Sequence, residues 1–429
     1  MYNEAANPRL SDRLNVCLIN DSFPPQIDGV ANAVVNYATV LSRFGKATVL
    51  APSYPGADDS SFPFEVLRYP SVALTKTPDY RMGLPFSGDL MEKIVQKDFD
   101  VIHSHCPMAS TLLARAVRTK IDRPVILTYH TKFDIEIGRA ISGPLLRSEA
   151  VKAMIANISA CDEVWCVSDG AGKNLKSMGY KGAYRVMPNG VDLPRGKSPK
   201  KKTDALRARL GIPKETPVFL YVGRMMWYKG LRIILDGADM LFKASRDFFV
   251  VFVGGGEEKE EIADYAQTLS CTERLLFIDP TSDREKLRAF YSMANVFLFP
   301  SEFDTNGLVV REAAACALPS VLIKGSCAAD GVFDGKNGFL IEADASSMCR
   351  CLTRLCGDQA ILKSVGEEAS KTLCRSWEDA VKDAYTAYKE VVSNYDRGLY
   401  PPKKPFLPEV VYDLVSKISD SDVRFLLKQ

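Results

Sequence analysis

At 429 residues the chain is long enough for two domains of ordinary size, and 46% hydrophobic with 25% charged residues is the make-up of a soluble globular protein. A net charge of +2 is too small to argue for a nucleic-acid partner. The eleven cysteines include no C-x-x-C pair, which reads as reduced thiols in a cytoplasmic protein and against a disulfide framework or a zinc site.

Residues 1–12 are polar and the apolar run behind them is short, so no secretory leader is expected. No stretch approaches the roughly 20 apolar residues that span a bilayer. The first strand is expected at 16–19, followed by a loop through Gly29 and a helix over 30–44. Further strands are predicted at 47–50, 101–103, 125–127 and 163–166. His103 and His105 fall at one of these strand ends and His130 at another. The chain has only three histidines, and each is either a satisfied structural ring or a group facing a ligand. The sequence Pro-Asn-Gly-Val-Asp at 188–192 then leads into a polar, basic stretch over 194–202, a linker by composition. A second strand series follows at 218–222, 249–253, 275–278, 296–299 and 320–323. Apolar runs alternating with helix-like segments are the pattern of parallel α/β domains. Two Rossmann-like domains with a hinge near residue 193 are therefore expected, with a cleft at the carboxyl ends of their strands.

Two segments carry the chemistry. The apolar run 218–222 ends in Gly223, with Arg224 and Lys229 five apart at the mouth of the next helix. Two cations at a strand's carboxyl end suit a diphosphate, Arg as a fork and Lys as a point charge, although a pair of surface charges at a helix start has the same look. The run 296–299 leads into Pro300-Ser301-Glu302-Phe303-Asp304-Thr305-Asn306-Gly307-Leu308-Val309-Val310-Arg311-Glu312. Asp304 and Glu312 are separated by seven residues, with Gly307 and Leu308 near a helix N-terminus. Unsatisfied N–H groups there favour an anion, and carboxylates accept from vicinal hydroxyls. A nucleotide sugar has both, though an ordinary βα turn with two solvated acids remains the alternative. The triple glycine at 254–256 lacks the Walker lysine spacing and reads as a tight βα turn.

Both spacings resemble those of retaining glycosyltransferases of family 4, the group 1 glycosyltransferases, in which an E-x7-E and an R-x4-K motif hold the donor. The resemblance implies the GT-B fold, an α/β architecture of two Rossmann-like domains with parallel sheets facing across a cleft. It implies an N-terminal acceptor-side domain over 1–192 and a nucleotide-sugar domain over 193–380. A C-terminal helix, with its candidate at 377–392, would return to the first domain, and a tail would complete 381–429. Arg224, Lys229 and Glu312 would bind the donor together with Asn306, Gly307, Leu308 and Val309, and Gly29 would let the backbone approach donor phosphate and sugar. His130 and Asp304 would be the catalytic residues. The sequence departs from the family at Asp304, where Glu is usual and one methylene longer, and at Asn306, where an aromatic is common. Glu302 is the longer acid, but its spacing to Glu312 is wrong.

The implied activity is retaining transfer of a sugar from a nucleotide diphosphate sugar, such as a UDP-hexose, to the hydroxyl of a diacylglycerol-type lipid or a polysaccharide precursor. No metal and no cofactor are implied. The expected partners are the nucleotide-sugar donor, a lipid or glycan acceptor, and a membrane surface touched peripherally from the cytoplasmic side. Arg195, Lys197, Lys200, Lys201 and Lys202 would attract anionic headgroups at about 1 kcal/mol each, unless they are a solvated linker. A non-catalytic nucleotide-sugar-binding module and a GT-B phosphorylase with a pyridoxal phosphate lysine are the rival classes. The tail beyond about residue 398 matches no pattern.

Overall fold

A computed structural model of the chain describes residues 13–403 apart from 27, 75–76 and 85–87; the tail after 403 lies outside the described residues. The chain forms two compact units, one taking in residues up to Pro188 and from Trp377 onward, the other running from Asn189 to Ser376.

The first unit contains strands β1 (Asn15–Ile19), β2 (Lys46–Pro52) and β3 (Glu65–Tyr69), then the antiparallel hairpin β4 (Ser71–Leu74) and β5 (Thr77–Gly83), then β6 (Val101–Ser104), β7 (Val125–Tyr129), β8 (Glu163–Cys166) and β9 (Arg185–Val186). Seven of them make one parallel sheet in the order β3-β2-β1-β6-β7-β8-β9. Helices cover both faces, so the inner strands are apolar without alternation, and every residue of β7 is buried. The edge strand β3 was not expected. Its sequence Glu-Val-Leu-Arg-Tyr is half-buried and carries two charges, so it lacks the apolar run that marks the inner strands.

The first helix, Gly29–Leu41, is shorter than the expected 30–44 and is capped by Asp28, whose carboxylate accepts from Val30 N and Ala31 N at 2.8 and 2.7 Å. It shares a core with the helix Trp377–Asp396, which buries Trp377, Ala380, Val381, Ala384, Ala387, Tyr388, Val391 and Val392. Those residues recur every three or four positions, one apolar face of a 3.6-residue helix.

The second unit has strands β10 (Val218–Val222), β11 (Phe249–Val253), β12 (Leu275–Ile278), β13 (Val296–Phe299), β14 (Ser320–Ile323) and β15 (Phe339–Ile341), all parallel in the order β12-β11-β10-β13-β14-β15. The order reverses between β10 and β13 here, and between β1 and β6 in the first unit. In doubly wound sheets such a reversal is the topological switch point, and ligands bind in the crevice outside the carboxyl ends of the strands there.

The stretch 194–202 is solvent-exposed apart from Ser198, but it is not a free linker. It belongs to the second unit: Gly196 N donates to Ala315 O, Arg195 donates to Cys374 O, and Ser198 is buried. Lys200 opens the helix Lys200–Arg209 and pairs with Asp204 at 2.9 Å, while Lys202 lies 3.2 Å from Glu285. The basic cluster is thus partly committed to intramolecular partners. Both chain crossings lie a little ahead of residues 192 and 380, since Val191 bridges to Ser376 inside the second unit and Trp377 packs in the first. Among the described residues no helix is long and apolar enough to cross a membrane.

Candidate active site

In the second unit the loops after β10 and β13 meet at the switch point. Behind β10, Met225 N donates to Gly255 O at 2.8 Å and Tyr221 Oη donates to Arg224 O at 2.8 Å. A Cβ on Gly254 would lie 1.9 Å from Gly223 O, and one on Gly256 would lie 2.4 Å from Met225 O. The triple glycine is therefore a backbone packed flush against the β10 loop, as a tight turn requires. The turn Trp227–Lys229 ends at Gly230, where φ is 78° and a Cβ would lie 1.9 Å from Pro300 O. That contact presses the β10 loop onto the β13 loop.

The contact brings Lys229 Nζ within 2.8 Å of Asp304 Oδ2, and the two side chains are only 12% and 21% exposed. Arg224 donates to the Tyr228 hydroxyl at 3.0 Å. Glu302, the longer acid, is exposed, and it is Asp304, at the seven-residue interval, that meets Lys229. Gly307, at φ 56°, precedes the helix Leu308–Ala315 and has no side chain with which to cap it. The first amides of this helix, at Leu308 and Val309, occupy the end where the dipole favours an anion. Asn306 is buried beside them, with its Nδ2 unpaired among the described residues.

Glu312 points back from the same helix. Its Oε1 accepts from Arg284 at 2.6 Å and its Oε2 from the Tyr291 hydroxyl at 2.8 Å. Burial raises its carboxyl above the ordinary value, while Arg284 and Tyr291 work the other way. Tyr291 is itself pushed well up, by burial first and by Glu312 second, so it remains a donor. Arg284 also binds Asp192. Neither Arg284 nor Tyr291 was anticipated. Their separation of seven, two turns along one face of the helix Arg284–Met293, is the signal that could have found them.

In the first unit Gly29 is exposed, and a Cβ added to it would meet nothing within 4 Å. The fold itself does not demand glycine there. His130, just after β7, is buried and lies 3.0 Å from His105 through Nε2. His103 binds the Tyr388 hydroxyl at 2.5 Å and the Thr128 hydroxyl at 2.7 Å, which makes it structural. Burial holds all three rings below the usual histidine range, His130 down to about 3. The residues singled out by sequence thus fall into two groups. Arg224, Lys229, Asp304, Asn306, Gly307, Leu308, Val309 and Glu312 surround the second unit's switch point, and Gly29 and His130 follow β1 and β7 of the first unit. The second-unit set combines cations, a bare helix N-terminus and carboxylates, which suits a ligand bearing both negative charge and hydroxyls.

The fold is that of solved GT-B glycosyltransferases. HepE from Anabaena, in complex with UDP-glucose, superposes with a TM-score of 0.68 at 17% identity, covering 89% of this chain and 100% of that one. Two Rossmann-like units, each built on a parallel sheet, define the GT-B class. The sequence pattern of Glycosyltransferase Family 4 matches residues 27–195, and that of Glycosyl transferases group 1 matches residues 202–372. The chain belongs to the family 4, group 1 glycosyltransferases. Among its curated relatives, an alpha-monoglucosyldiacylglycerol synthase of Streptococcus pneumoniae is 25% identical over 312 residues, 72% of this chain and 70% of that protein. One of the same name from Acholeplasma laidlawii is 22% identical over 402 residues, 90% of this chain and 99% of that protein.

Proposed function

We propose that this glycosyltransferase moves a hexose from a UDP-sugar to a hydroxyl of a diacylglycerol-type lipid, with retention at the anomeric carbon. The observation that carries the donor site is the meeting of the R-x4-K and D-x7-E loops at one switch point, with Lys229 and Asp304 2.8 Å apart. Lys229 and Arg224 stabilise the diphosphate as its charge grows in the transition state, and the amides of Leu308 and Val309 add the helix dipole. Glu312, steadied by Arg284 and Tyr291, accepts from the ribose hydroxyls, and Asp304 accepts from the sugar. Asn306 lies alongside them, and Gly29 gives the backbone a close approach to the donor. His130 stays neutral and orients the reacting groups. The leaving diphosphate oxygen takes the acceptor's proton on the face where the new bond forms.

UDP-glucose as donor is supported by the complex of HepE, and a lipid acceptor by the names of the relatives. Such an acceptor places the enzyme peripherally at a membrane surface, and the reduced cysteines favour the cytoplasmic side. A polysaccharide precursor is the competing acceptor. The test is incubation with UDP-glucose and either diacylglycerol vesicles or an oligosaccharide pool, with products read by mass and anomeric configuration by NMR. A glucosylated lipid in the α configuration is expected. Product only with the oligosaccharides would move the acceptor. Donor binding without any product would reduce the chain to a sugar-nucleotide-binding module, and a phosphate-dependent product with pyridoxal absorbance would make it a phosphorylase.

A further inference from the structure

All three histidines of the chain meet at the carboxyl ends of β6 and β7. His103 is saturated, with a hydroxyl on each ring nitrogen. His105 and His130 share one hydrogen bond, Nδ1 to Nε2 at 3.0 Å, between rings inclined by 25°. One of these nitrogens carries the proton and the other accepts it. Burial keeps both rings neutral, so each has a single N–H.

The other nitrogen of His105 decides the direction. His105 Nε2 is buried and has no hydrogen-bond partner among the described residues. If His130 were the donor, the only proton of His105 would sit on that Nε2, a buried N–H without an acceptor. Folded proteins rarely leave a buried donor orphaned, whereas an under-used acceptor is the commoner exception. With the proton on Nδ1, the buried Nε2 is only a bare lone pair.

We infer that His105 is a positioning residue for His130: its Nδ1–H donates to His130 Nε2 and holds His130 in the tautomer protonated at Nδ1. The consequence for transfer rests on the function proposed above. His130 Nε2 is committed as an acceptor within the protein and takes no proton from the sugar acceptor. That proton goes to the diphosphate oxygen, as the bond from the anomeric carbon to that oxygen breaks and the bond to the acceptor oxygen forms. His130 is then an orienting ring and not a general base at Nε2.

The test is ¹⁵N NMR of the full chain labelled at histidine, read at neutral pH without substrate. Three rings give three pairs of nitrogen signals, assigned by single replacements. The expected wild-type spectrum shows His130 protonated at Nδ1 and His105 likewise. Gln at 105 places its amide near the Nε2 position, and Asn places its amide near Nδ1. His105→Gln is expected to mix the His130 tautomers and lower kcat roughly five- to tenfold at unchanged donor KM, the equivalent of one net hydrogen bond. His105→Asn is expected to recover the tautomer and most of the rate. A wild-type His130 protonated at Nε2, with the His105 Nε2–H turned toward the Tyr37 ring 5.2 Å away, would overturn the assignment. So would a His105→Gln variant with an unchanged His130 tautomer. The wild-type spectrum needs no variant and no turnover, so it stands or falls apart from the functional reading. That reading is tested separately by loss of transfer in His130→Ala.

Discussion

Lys229 and Asp304 are the residues through which the two motifs become one site, and they behave as a pair. Each is mostly buried, and removing one strands the other's charge. Lys229→Ala and Arg224→Ala should each lower kcat with UDP-glucose by about 100-fold or more, the usual cost of deleting one group that stabilises developing charge. Lys229→Ala should also lower the thermal midpoint, whereas Arg224→Ala, whose side-chain hydrogen bond to Tyr228 is exposed, should leave it nearly unchanged. Near-normal turnover in both variants would remove them from the donor site. Asp304→Asn should cost far more activity than Glu302→Gln, measured side by side with one donor. The reverse order would mean that Glu302 faces the sugar.

Two glycines make opposite predictions about the elements they join. Gly230 stands at positive φ with Pro300 O where its Cβ would be, so the β10 and β13 loops cannot keep their contact around a side chain. Gly230→Ala should destabilise the protein by on the order of 2–4 kcal/mol, read as a shift in the urea midpoint. An unshifted midpoint would show that the loops have slack. Gly29 stands at a helix start with open space, and Ala is the better helix former. Gly29→Ala should leave the midpoint unchanged or slightly raised. Its effect, if the backbone there meets the donor, should be a higher KM for UDP-glucose.

For the whole molecule, the buried histidines set an acid limit. Their folded pKa values lie below the ordinary 6.5, so in the unfolded chain they bind protons that the folded chain refuses. The stability they allow is fully present above about pH 6.5. It falls as pH drops below that, by up to about 1.4 kcal/mol per pH unit for each ring, until the folded pKa is reached. Against a total of roughly 5–15 kcal/mol that is a large loss by pH 5. Urea midpoints at pH 7, 6 and 5, with proton uptake on unfolding, measure it. A flat midpoint across that range would mean that the rings charge without unfolding.

What the sequence determined by itself was periodic or local. Inner parallel strands are covered on both faces, so their apolar runs were legible one after another, and with them the two Rossmann-like units. The spacings Arg224 to Lys229 and Asp304 to Glu312 were legible because each lies within a single loop and helix start. What only the tertiary structure decided was long-range. The linker-like stretch over 194–202 is polar and basic in composition, yet its backbone is held by Ala315 and its Arg195 by Cys374, partners more than a hundred residues away. Arg284 and Tyr291 reach Glu312 from a different helix, and β3 joins the sheet through pairing with β2 despite its charges. His105 is separated from His130 by 25 residues and has no motif of its own. Local patterns record which face of an element is buried; which side chains meet across elements depends on packing, and no single stretch of sequence contains that.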